Sequence, residues 1–176
     1  MDIDKIKVNQ NKQKILTWLE DIRANYTLAD LEKLGRSDLL FSISLGDPSV
    51  VIYTITTHPD RIILQSDIMF SDNHKEVIVK MSEQNHAKFV VGLETLLATL
   101  NIRYRFFLKD NRVEKIRIHL FVHDDIMTKD VILQDFSRVQ EVTIVLLNQI
   151  NTALGFAVTT QTAQQVDDTK DRPGVT

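Results

Sequence analysis

Apolar residues recur at helical spacing from Gln10 to Asn25, where Ile15, Trp18, Leu19 and Ile22 are separated by Lys12, Lys14, Glu20 and Arg23, and Tyr26 continues the stripe. This predicts an amphipathic helix with one buried side. Between Thr27 and Asp38 the pattern blurs, and Leu28, Leu31 and Leu34 suit either a short helix ended by Gly35 or a packed connector. The period then changes to two. Leu39, Phe41, Ile43 and Leu45 alternate with Leu40, Ser42 and Ser44, as in a strand with one wet face. Gly46-Asp47-Pro48-Ser49 reads as a turn, and Val50 to Thr56 is β-branched on both faces, like a central strand. His58-Pro59-Asp60 reads as a second turn, and Arg61 to Phe70 as a third strand, which together predict an antiparallel meander.

Ser71 to Met81 is ambiguous between strand and short helix. Ser82 is a suitable N-cap for a helix whose buried stripe holds Phe89, Val90, Leu93, Leu96, Leu97 and Leu100. Gly92 inside that helix is costly, which points to a close approach of another backbone. A hairpin follows, with Ile102, Tyr104, Phe106 and Leu108 on one face of its first strand and Ile116, Ile118, Leu120 and Val122 on one face of the second. Thr128 caps a last helix carrying Ile132, Phe136, Val139, Thr143, Leu146 and Ile150, a stripe widened by Val142, Val145 and Leu147. The order α-β-β-β-α-β-β-α, with helices on an antiparallel sheet, is an α+β fold. Residues 1–9 read as a flexible N-terminus, 10–156 as one α+β domain, and the polar stretch 157–176 as a disordered tail.

Composition changes this picture mainly by exclusion. A chain of 176 residues, 43% hydrophobic and 26% charged, suits one domain with its own core. A net charge of −3 gives no overall pull toward nucleic acid. With no cysteine there are no disulfides, thiolate nucleophiles or Cys-type zinc sites. The polar start of the chain does not resemble a secretory signal, no window is apolar enough to span a bilayer, and a cytoplasmic location is expected. The five glycines are scattered, so no phosphate loop or dinucleotide fingerprint occurs, and GxSxG and HExxH are absent. No catalytic residue, cofactor or metal site is expected.

The histidines do not assemble a site either. His119 and His123 share a strand face but lie about 13 Å apart, too far for one metal ion. His123, Asp124 and Asp125 form a small polar cluster, yet the two acids equally suit the start of the last helix. His58, His74 and His86 read as solvated residues of turns and polar stretches.

The positive signal is the hairpin. Arg103, Arg105, Lys115, Arg117 and His119 point away from its apolar side, together with Phe107 and Phe121. A three-residue loop Lys109-Asp110-Asn111 brings the apolar sides together and sets Arg105 opposite Lys115 and Arg103 opposite Arg117. Opposed like charges are destabilising, so an acid from a neighbouring strand or an outside anion should compensate. These five residues are the candidate partner- or anion-binding site, and a basic-aromatic platform for nucleic acid is the alternative reading. On the last helix, Val142, Ile144, Val145 and Leu147 are the candidate interface, because an apolar arc this wide exceeds what one sheet covers.

The segments FSISLGDP, THPDRIILQSDIMFSDNHKEV, FVVGLETLLATLNIRYRF and IHLFVHDDIMTKDVILQDFSRVQEVTIVL, with LFVHDDIMTKD the most distinctive string, resemble a small uncharacterised prokaryotic, largely archaeal, domain-of-unknown-function family. The resemblance runs from about Ile15 to Leu154. Its fold is similar to that of type III secretion chaperones and YbjN-like proteins. It implies a domain that dimerises and binds segments of other proteins, without transferable catalytic residues. The expectation is therefore a non-enzymatic, chaperone-like interaction module acting as a homodimer, with an unidentified protein partner and no membrane.

Overall fold

The structure, a computed structural model, describes residues 3–156; the expected tail lies outside them. Helix α1 (Ile3–Asp21) starts earlier than the sequence pattern suggests. Val8, Asn11, Ile15 and Leu19 are buried at spacings of three and four, so the stripe runs back beyond Gln10. The helix stops where Arg23 turns left-handed at φ 53°, and Tyr26 consequently leaves the stripe. It opens strand β1 (Tyr26–Leu28), followed by the short helix α2 (Leu31–Leu34), which Gly35 ends in the left-handed region. A three-residue strand is too short for its alternation to show.

The meander forms as expected from β2 (Leu39–Leu45), β3 (Val50–Ile55) and β4 (His58–Met69). The β3–β4 turn falls at Thr56 and Thr57, so His58 already belongs to the third strand. Ser71 to Met81 resolves as helix α3 (Asp72–Lys80). Ser71 and His74 form its capping box: the serine oxygen accepts from the His74 amide, and the imidazole Nδ1 accepts from the Ser71 amide. The local cap outweighs the β-branched pair Val77 and Val79.

Ser82 caps α4 (Glu83–Thr99), and Thr128 caps α5 (Lys129–Leu154) by accepting from the Val131 amide. Gly92 is a correction. A Cβ there would have nothing within 4 Å, so no backbone approaches it and the glycine serves no packing need. His74 and His86 are corrections too. His74 Nε2 lies 2.9 Å from Asn151 Oδ1 on α5, and the nearly buried His86 accepts from the Val113 amide.

Strands β5 (Arg103–Lys109) and β6 (Arg112–His123) form the second hairpin. All six strands join one antiparallel sheet in the order β1-β2-β3-β4-β6-β5, so β6 docks on β4 and places β5 at the edge. Pairing alternates side chains between two faces. On one face Ile52, Ile62, Leu64, Ile68, Ile116 and Ile118 are almost fully buried. Residues from α1, α3, α4 and α5 join them in a single core. Tyr53, Ile63, Phe107 and Phe121, on the other face, lie outside that core.

Candidate functional site on the open sheet face

The predicted hairpin register needs one correction. The turn has two central residues, Asp110 and Asn111, with φ of 50° and 59°. Asp and Asn tolerate the left-handed pair that matches the twist of the flanking strands. Lys109 then pairs with Arg112 and Leu108 with Val113, after which an irregularity adds one residue to β6 and Phe107 pairs with Lys115. Parity survives and the partners shift: Arg105 faces Arg117 rather than Lys115, and Arg103 faces His119 rather than Arg117. The like-charge opposition is real, with a different pair.

The compensating acid is Asp67, supplied by β4 directly opposite Arg117. Its carboxylate accepts from Arg117 Nε at 2.8 Å and Nη2 at 2.9 Å, the bidentate fork that suits a guanidinium, and from Lys115 Nζ at 3.4 Å. Burial pushes the Asp67 carboxyl up, but Arg117 and then Lys115 outweigh it and hold the group below the usual carboxylate range. Behind Asp67, Gln65 Nε2 donates to its Oδ1 at 3.2 Å, and Tyr53 donates its hydroxyl to Gln65 Oε1 at 2.7 Å. The polar chain Tyr53–Gln65–Asp67–Arg117 thus crosses three strands.

The remaining cations are held by aromatic rings. Arg103 lies over Phe121 at 5.1 Å, and Arg105 over Phe107 at 5.1 Å, with Lys115 at 4.1 Å and Arg117 at 5.1 Å from the Phe107 ring as well. Among the described residues Arg103 and Arg105 have no carboxylate partner, so Asp67 serves two of the four cations, Lys115 and Arg117. His119 stacks edge-on against Phe121 at 4.9 Å, and its Nδ1 is buried without a hydrogen-bond partner. Burial, with Arg103 and Arg117 alongside, pushes its pKa down, so it adds no charge near neutrality.

The structure thus brings Arg103, Arg105, Lys115, Arg117 and His119 onto one surface, to which sequence reasoning did not add Tyr53, Gln65 and Asp67. Their odd numbering within β3 and β4 was a usable signal, but the β4–β6 pairing that carries it spans 50 residues between Asp67 and Arg117.

The other candidates separate. His123 faces Asp60 at 3.7 Å on the open side, whereas Asp124 turns to Lys7 of α1 at 2.6 Å. No group of three or more potential metal ligands occurs among the described residues. A cavity of about 390 Å³ between α3 and the hairpin is lined partly by Asp72, Lys75, Arg112 and Glu114. There Lys75 bridges Asp72 and Glu114 at 3.7 Å each, which reads as surface ion pairing. On α5, Val142 is 5% exposed and belongs to the core, and Leu147 packs half-buried against it. Ile144 and Val145, at 43% and 41%, face outward.

These features sit in a shared fold. Residues 11–150 match the family described as Uncharacterized conserved protein (DUF2299), and the chain belongs to that family. Among solved structures, an uncharacterized protein from Methanothermobacter thermautotrophicus superposes with a TM-score of 0.73 at 14% identity, over 82% of this chain and 99% of that one. YbjN from E. coli gives 0.47 at 11% identity over 73% and 85%, a likeness too loose to carry an argument. No curated protein matches. The α+β fold inferred from the sequence is therefore shared, and among the described residues no helix is long and apolar enough to cross a membrane.

Proposed function

We propose that this protein is a non-enzymatic protein-interaction module, chaperone-like and homodimeric in the cytoplasm, whose partner surface is the open face of its sheet. The observation that supports this most directly is that one whole sheet face lies outside the core. That face carries Tyr53, Phe107, Phe121, Arg103, Arg105 and Arg117, and tyrosine, other aromatics and arginine are the residue types enriched where proteins meet.

A nucleic-acid platform fits less well. Stacking needs an uncovered ring, and cations occupy Phe107 and Phe121. Asp67 also places a negative charge in the middle of the basic surface, where a phosphate backbone would pass. For self-association, the outward Ile144 and Val145 on α5 and Val91 on α4 supply apolar surface on the helical side, leaving the open face available.

The test is affinity capture from native lysate with two baits, the wild type and Arg103→Glu/Arg105→Glu. Proteins held by the wild type should be lost from the double variant. Identical captured sets would overturn the open face as the partner surface. Sedimentation at micromolar concentration should give twice the 20.3 kDa chain mass, and Ile144→Asp should return it to one. A wild-type monomer would remove the homodimer.

A further inference from the structure

Strand β5 ends the sheet, and among the described residues its only strand partner is β6. Its outward N–H and C=O groups are thus a template for one more strand. The opposite edge offers much less, because β1 spans only three residues. The side chains of β5 differ sharply between its two sides. Arg103 and Arg105 are exposed on the open face, whereas Tyr104 and Phe106 are half-buried at the margin of the core and Leu108 is 61% exposed beside them.

Basic residues on an edge strand commonly guard against self-pairing, and β5 does reject its own kind. An antiparallel pair centred on Phe106 opposes Arg103 to Lys109 of the second copy. Centring it on Arg105 opposes that arginine to itself, and centring it on Tyr104 opposes Arg103 to Arg105. Like charges directly opposite destabilise a strand pair. The same charges attract a strand of opposite sign. Neither arginine is neutralised by a carboxylate among the described residues, and each already has its guanidinium group held over a ring, Arg103 on Phe121 and Arg105 on Phe107. Guanidinium groups held this way lose little further freedom on pairing with a carboxylate.

Resting on the interaction-module reading, we infer that the β5 edge binds an extended acidic segment of a partner protein, added as a seventh strand, in which carboxylate and apolar side chains alternate. The carboxylates meet Arg103 and Arg105 on the open face. The apolar residues cover Tyr104, Phe106 and Leu108 on the other side. Backbone pairing supplies affinity, and the alternation supplies selectivity.

The experiment uses the full chain and a fluorescent nine-residue peptide alternating glutamate with valine. Its controls are the same peptide with alternate amides N-methylated, a lysine–valine version, and a single-stranded 12-mer of deoxythymidine. Anisotropy titrations at low salt should show saturable binding of the glutamate–valine peptide, at least tenfold weaker for Arg105→Glu protein and at least tenfold weaker for the N-methylated peptide, which keeps the charges but cannot complete the ladder. The lysine–valine peptide should not bind. Amide hydrogen exchange in Arg103–Lys109 should slow on binding. No binding of the glutamate–valine peptide, equal binding of the N-methylated one, or equally tight binding of the oligonucleotide would overturn the inference. If the peptide fails while Arg103→Glu/Arg105→Glu still empties the capture, the interaction surface stands and only the added strand falls.

Discussion

The two faces of this sheet are made by the same strands, yet they are held in different ways. Leu64 and Ile63 are neighbours on β4. Leu64 is fully buried beneath the helices, whereas Ile63, though also buried, is flanked in register by Tyr53 on β3 and Phe121 on β6. One face is closed by four helices and one hydrophobic core. The other is held, among the described residues, by its own side chains, through rings capped by cations and one carboxylate shared by Arg117 and Lys115. A covered face converts buried area into stability. A face held by polar pairs in partial contact with water yields little stability and keeps its donors available to a ligand.

The largest test of that contrast is the adjacent pair itself. Leu64→Ala should cost about 4 kcal/mol in urea unfolding, because the cavity it leaves is walled by core. Ile63→Ala should cost about 2 kcal/mol, because its neighbours can collapse or water can enter. Equal losses would mean that the open face is packed as a second core, and the distinction would fail.

Asp67 comes next. Replacing it with Asn should cost about 1–2 kcal/mol, since Arg117 and Lys115 lose the carboxylate they share while Arg105 still faces Arg117. The sign of its pH dependence follows from its depressed pKa. The stabilising contribution is fully present above the unfolded carboxylate value of about 3.9, and it is lost as pH falls through the lower folded value. Wild type should therefore lose more stability than Asp67→Asn between neutral pH and pH 2. Parallel acid curves for the two proteins would show that the fork contributes nothing.

What was legible in the sequence divides along the same line. Helix caps at Ser82 and Thr128, the meander, and the basic side of the hairpin all depend on neighbours within a few residues, and all were readable. The demand for a compensating acid was readable too, but Asp67 itself was not. Nothing local indicates that β4 rather than another strand flanks β6. The hairpin register slipped because the two-residue turn and the extra residue in β6 together leave parity unchanged, and parity was the only constraint the hydrophobic pattern imposed. Gly92 misled for the opposite reason. Its cost in a helix suggested a packing need, and the structure shows open space.

The smallest expected effect concerns Arg105, and it bears most directly on function. Arg105→Gln removes a cation that faces Arg117 across the β5–β6 pair, which relieves a repulsion of about 0.2–1 kcal/mol. It also removes one of three cations near the Phe107 ring, a contact worth about 0.5–1 kcal/mol at an exposed site. Lys115 and Arg117 remain close to that ring, so the ring is not left bare. The two terms oppose each other and are of similar size, and stability should stay within about 0.5 kcal/mol of wild type by chemical denaturation. The peptide affinity of the same variant should nonetheless fall several-fold, because at the free edge Arg105 has no competing acid among the described residues. A loss of stability beyond 1 kcal/mol would make Arg105 a structural member of the open face. An unchanged stability with a weakened ligand would place it among the residues that this face holds for contact with something else.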